Sequence, residues 1–273
     1  MPRPAKRSAT ARRKVHRLQS GSASLFDEAE PDFSPPQPLP ERSRLVVPTW
    51  LLNSAIAVFL LPLAVIWSET FFTIFSCETV DHSYWATEEF WFFALGAILW
   101  LIVFYSFRHR KIVYLYVLGH ELTHAVWVWL MGGRVIDRSI RCDGGYIVTN
   151  KSNVWIALSP YFYPIYSVLV VILYALGWLF WDMAPYTCWL FLALGVTWTF
   201  HISFTLWMIP KGQSDLTQHG TFFSLVVIYL MNLALLTGLL LLTAPHATLG
   251  GFAHEFLHHA ADFSGWVVSL IRK

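Results

Sequence analysis

One apolar run, long enough to cross a bilayer yet carrying two histidines and a glutamate at its centre, limits what this chain can fold into. It is Ile112 to Arg134, IVYLYVLGHELTHAVWVWLMGGR. About 20 residues at ~1.5 Å rise cross the hydrocarbon core. An ionisable side chain at that depth costs roughly 3 kcal/mol on insertion scales, so His120, Glu121 and His124 together need a compensating role. Their spacing supplies one. In H-E-x-x-H on a helix the two histidines are four apart and share a face, so both imidazoles reach one Zn²⁺. Glu121 then stands beside the metal, where a carboxylate takes a proton from activated water. The competing reading is a polar helix face whose histidines are hydrogen-bonded without metal.

The surrounding composition places this run in a membrane. Of 273 residues, 56% are hydrophobic, 17% aromatic and only 13% charged, the profile of a polytopic membrane protein rather than a nucleic-acid binder. The net charge of +2 conceals an uneven distribution, because the first 17 residues hold seven of the 19 Lys and Arg. No apolar region follows until Leu45, which argues against a secretory signal peptide. Residues 1–46 read instead as a disordered basic and proline-rich cytoplasmic tail, with anionic lipid headgroups as a secondary partner. Cys77, Cys142 and Cys188 fit no metal or redox spacing.

The expected fold is an all-α integral membrane protein with about six transmembrane helices. A six-span domain covers 47–243, its spans falling at 47–76, 90–107, 112–134, 154–181, 186–209 and 221–243. Gly132-Gly133 suit the C-terminus of the third helix. Residues 134–153 alternate in β-like fashion on each side of Gly144-Gly145, as in a hairpin. Pro160 and Pro164 stand in the first turns of the fourth span. If six spans alternate with the first entering from the cytoplasm, the inner segments carry 14 Lys and Arg and the outer loops 5. Both termini are then cytoplasmic.

Residues 244–273 repeat the motif as His254-Glu255-Phe256-Leu257-His258. Phe252, Phe256, Phe263, Val267 and Leu270 form one stripe opposite Glu255, His258, His259 and Asp262, the pattern of an amphipathic helix on the inner membrane surface. His254, His258 and Asp262 are either surface metal donors or a solvated face. No structure encloses them, and the chemistry is expected at His120–His124.

The order HELTH, Gly-Gly, a β-like loop, a proline-bearing span and then Pro210-Lys-Gly-Gln-Ser-Asp215 resembles the site-2 protease family of intramembrane zinc metalloproteases. The likeness covers residues 112–243 and is strong at HELTH. In that family a later N-x-x-P-x-x-x-L-D-G motif supplies an aspartate ligand. Pro210 and Asp215 keep its spacing, whereas Trp207, Ser214 and Leu216 replace its Asn, Leu and Gly, and ALSPYFYP (157–164) only loosely resembles the family's G-P-x-x-N segment. The resemblance implies Zn²⁺ on His120, His124 and Asp215, Glu121 as catalytic base, and transmembrane proteins as substrates. Asp215 reaches the metal only if residues 210–218 fold back into the membrane; His201, in the fifth span, is the other candidate third ligand. Two further readings remain open: a degenerate member that binds membrane clients without cutting them, and a transporter using the intramembrane His/Glu cluster.

Overall fold

The computed structural model describes residues 49–106, 110–141 and 144–272. The disordered tail expected over 1–46, Arg108-His109 and Cys142 lie outside the described residues. Nine α-helices and a two-stranded sheet, with short helical turns between them, make up the described part: α1 Thr49–Ser76, α2 Glu88–Ser106, α3 Arg110–Leu130, β1 Val135–Arg141, β2 Gly144–Thr149, α4 Val154–Phe162, α5 Ile165–Gly177, α6 Thr187–Met208, α7 Ser214–Gln218, α8 Thr221–Thr243 and α9 Leu249–Ile271. The fold is mostly helical, as expected.

Fewer helices qualify as membrane spans than the sequence suggested. Among the described residues four are long and apolar enough to cross a membrane, those containing α1, α2, α6 and α8. A fifth crossing exists if α4 and α5 count as one broken span, bent by 74°. The expected fourth span is therefore not a straight helix. Pro164 lacks an N–H and Tyr163 before it is extended, so the α-helical ladder stops between them. The HELTH helix α3 is not one of the four, since Arg110, Lys111 and the three motif residues dilute its apolar run.

Helix directions also depart from six alternating crossings. Alternation would make the first and sixth spans antiparallel, yet α1 and α8 run parallel. Asn53 Nδ2 donates to the His219 carbonyl at one end (2.7 Å), Trp67 Nε1 donates to Thr237 midway (3.0 Å), and the Tyr84 and Thr243 hydroxyls meet at the other end (2.8 Å). Likewise α2 and α6 are parallel: Glu88 meets Cys188, Trp100 Nε1 donates to Ser203, and Phe104 packs on Phe204. Both parallel pairs follow if α3, the sheet, α4 and α5 together make a single return path. α5 completes it by running antiparallel to α6, through Ser167–Thr197 and Tyr174–Thr187. Thr49 and Thr243 consequently lie at opposite ends of the bundle. So do residues 77–87 and Ser152, which sits beside Gln218 at the Asn53 end. This geometry removes the alternation on which cytoplasmic placement of both termini rested.

The helices pack through small residues and through hydroxyls bonded back to their own helix, devices that suit an apolar setting. A Cβ on Gly96 would collide with the Leu192 carbonyl oxygen, and one on Gly195 with that of Phe93, so α2 and α6 touch backbone to backbone. Buried Thr70 returns its hydroxyl to the Ile66 carbonyl (2.8 Å). Helix α9 is amphipathic as expected, but it leans on α1: Phe252 and Phe256 both pack against Trp67.

Candidate metal centre

The HELTH helix is closed by a glycine cap. Gly132 adopts φ +73°, Gly133 N–H donates to the Val128 carbonyl (2.7 Å), and Gly132 N–H donates to that of Trp129 (2.9 Å). This double bond satisfies carbonyls the helix end would leave orphaned. The chain then reverses into the expected hairpin, antiparallel with a bulge between Val135 and Asp137. Gly144 and Gly145 do not form its turn, as the alternation suggested; both belong to β2. Gly145 has a steric role. A Cβ there would lie 2.7 Å from Glu121 Cγ and 2.8 Å from its Oε1, so a bare backbone makes room for the buried carboxylate.

His124 is oriented by a backbone oxygen that proline sets free. In helix α4 the Ile156 carbonyl would ordinarily accept the N–H of residue 160, but Pro160 has none. The vacant lone pairs accept from His124 Nδ1–H (2.8 Å) and from the Ser159 hydroxyl (3.0 Å). This bond places the proton on Nδ1 and leaves the Nε2 lone pair pointing away, the arrangement typical of a metal-ligating histidine. His120 has its Nδ1 3.3 Å from the Tyr116 hydroxyl, one turn earlier in α3.

Asp215 reaches both imidazoles from α7. After α6 the chain makes a 3-10 turn over Ile209–Lys211, then Gly212 takes φ +69°, a left-handed conformation that suits glycine. Leu216 anchors the returning segment: it is almost fully buried, and its carbonyl accepts from Ser224 (2.9 Å). Asp215 Oδ2 then stands 3.2 Å from His120 Nε2 and 3.5 Å from His124 Nε2, and accepts a long bond from the Tyr161 hydroxyl (3.4 Å). The three donor atoms fall within 4.8 Å of one another, a group able to hold a metal ion. Two acceptors, His124 Nε2 and a carboxylate oxygen, face each other here; a cation between them turns repulsion into attraction.

The donors and Glu121 line a cavity of about 250 Å³, walled on one side by Gly145, Tyr146 and Ile147 of β2 and on another by Gln213 and Gln218. Of the sequence candidates, His120, His124, Asp215 and Glu121 are thus brought together. His201 is not among the converging donors; it lines a smaller cavity behind His120 with Tyr116 and Tyr166. The second motif does not assemble a His254–His258 pair. His254 meets its neighbour Glu255, whereas His258 meets Asp262 at 3.3 Å and with His259 forms a further donor cluster on α9; both His254 and His258 are exposed. Sequence reasoning missed Tyr116, Tyr161 and the Ile156 carbonyl. Tyr116 was legible at i−4 from His120; the other two depend on the packing of α4. No protein-family model, curated protein or solved structure matches this chain. The likeness to site-2 proteases therefore stands on the residues themselves.

Proposed function

We propose that this chain is a zinc-dependent intramembrane endopeptidase that hydrolyses peptide bonds in or near transmembrane segments of other membrane proteins. The observation carrying this reading is the convergence of His120 Nε2 and His124 Nε2 on one Asp215 oxygen, at 3.2 and 3.5 Å. Ligands of a tetrahedral Zn²⁺ with bonds of about 2.0–2.1 Å stand roughly 3.3–3.4 Å apart, close to the two His–Asp distances, and all three donor atoms lie within 4.8 Å of one another. Two imidazoles and a carboxylate also suit zinc better than Mg²⁺ or Ca²⁺, which prefer all-oxygen shells. A zinc ion held there would supply Lewis acidity, polarising the scissile carbonyl and making water a stronger acid.

The remaining chemistry belongs to the chain. The Glu121 carboxylate, lining the same cavity as the donors, accepts the proton from the attacking water and passes it to the departing amine. Water oxygen adds to the scissile carbonyl carbon first; the C–N bond then breaks as its nitrogen takes the proton from Glu121, giving a carboxylate and an amine. The Tyr161 hydroxyl steadies the Asp215 oxygen, and the Ile156 carbonyl holds His124 in the required tautomer. A transmembrane substrate must unwind before attack, because helical amides are shielded by their own hydrogen bonds. β2 pairs only with β1 among the described residues, so its second edge is free to take an extended segment by strand addition.

The decisive experiment measures bound zinc together with cleavage of a co-expressed library of single-span proteins, in wild type and Glu121→Gln. The variant keeps its zinc and loses about 10²–10⁴-fold in turnover, since an amide accepts no proton. Undiminished turnover sinks the mechanism. Absence of zinc from wild-type protein sinks the metal reading.

A further inference from the structure

At the bundle end remote from the HELTH site, the helical turn Cys77–Asp81 after α1 meets the α8–α9 turn through a second set of metal donors. Glu78 is buried, with only 3% of its side chain exposed, yet it lies in a segment, 77–89, that contains no Lys or Arg. Its oxygens face two imidazoles instead. His82 Nδ1, one turn on, is 3.3 Å from Oε1, and His246 Nδ1, from the turn between α8 and α9, is 3.8 Å from Oε2. The His246 backbone N–H also points at Oε2 (3.4 Å). The two rings lie 4.2 Å apart, and the three donor atoms fall within 4.8 Å of one another.

A buried carboxylate needs a compensating positive charge, and neutral imidazoles bring none. A divalent ion instead supplies its charge once and uses both Nδ1 lone pairs and one carboxylate oxygen. Two imidazoles and a carboxylate form a three-residue ligand set typical of Zn²⁺.

We propose that Glu78, His82 and His246 form a second divalent-metal site, of the zinc class, that ties the α1–α2 connection to the α8–α9 turn. The site is independent of the first: Ser76 lies about 35 Å along α1 from Asn53, which contacts the α7–α8 turn beside Asp215. An ion held there would link two connections lying far apart in sequence and close the end of the parallel α1–α8 pair.

The test uses the full chain in detergent, stripped with a chelator and titrated with Zn²⁺, and with Co²⁺ as a visible-absorbing probe. Wild-type protein is expected to take up one equivalent at each site. The His120→Ala/His124→Ala double variant should retain one equivalent, and adding Zn²⁺ should raise its melting midpoint. Adding His246→Ala to that background removes the retained equivalent and the shift. His246 is mostly exposed, so its loss leaves the fold intact; His82→Gln, at the other imidazole, gives the same loss by a separate change. The proposal is overturned if the double variant holds no metal. It is equally overturned if the retained equivalent survives both His246→Ala and His82→Gln, or disappears instead with His258→Ala in the exposed α9 cluster.

Discussion

The chemistry of the first site depends on few atoms, and single side chains test it. Asp215→Ala removes one of three converging donors, so zinc should be lost or bound far more weakly, whereas Asp182→Ala, in the turn after α5, should leave the metal content unchanged. Metal analysis of the two purified variants decides this. Pro160→Ala probes the support behind His124. It restores an N–H able to reach the Ile156 carbonyl, in competition with His124 Nδ1–H. Loss of such an outer-shell partner typically costs 10–100-fold in metal affinity, and Zn²⁺ competition titration should read that weakening while the helix content holds. Unchanged affinity would mean that His124 needs no such orientation.

Between elements, contact geometry sets stability. Helices α2 and α6 approach so closely at Gly96 and Gly195 that a side chain at either position meets backbone atoms rather than a flexible tip. Gly195→Val should therefore lower stability by about 1–3 kcal/mol, the usual penalty of overpacking. Thermal unfolding in detergent reads the loss. Gly238→Val, where nothing lies within 4 Å, should cost far less and serves as control. The path from Pro210 to Leu216 belongs to the same scale: a positive-φ glycine turns the chain, and buried Leu216 pins it, although the family pattern has glycine at that place. A bulky anchor there is compatible with Asp215 pointing into the site.

For the whole molecule, the parallel α1–α8 and α2–α6 pairs fix which connections share an end. Residues 77–87 and the α8–α9 turn meet at one end through Tyr84 and Thr243, while Ser152, Gln218 and Asn53 meet at the other. Segments 77–89 and 178–186 contain no Lys or Arg, whereas Lys151 and Lys211 flank the opposite end. The positive-inside rule then predicts a cytoplasmic Asn53 end. Single cysteines at Ser83 and Ala247, in a cysteine-free background, should react with an impermeant reagent from the non-cytoplasmic side, and a cysteine at Lys151 should not. Labelling of Lys151→Cys together with Ser83→Cys from one side would restore six alternating crossings.

The limits of the straight apolar helices, the glycine cap and the pairing of His120 with His124 were legible in the sequence because they are local. Apolar runs mark helices such as Thr221–Thr243, and four residues along a helix return to the same face whatever surrounds it. The hairpin showed itself by alternation, though not the place of Gly145 against Glu121, which needs the sheet folded back along α3. Asp215 stands 95 residues from His120, and the spacing from Pro210 gave only a candidate. Choosing it over His201 required knowing that residues 209–218 double back. Helix direction was misread for a related reason. Hydropathy counts apolar residues but does not register that a polar helix and a proline-broken one lie between two parallel helix pairs. Their arrangement depends on long-range packing of α3, α4 and α5, where the Ile156 carbonyl meets His124 and the Tyr166 hydroxyl donates to the Leu115 carbonyl.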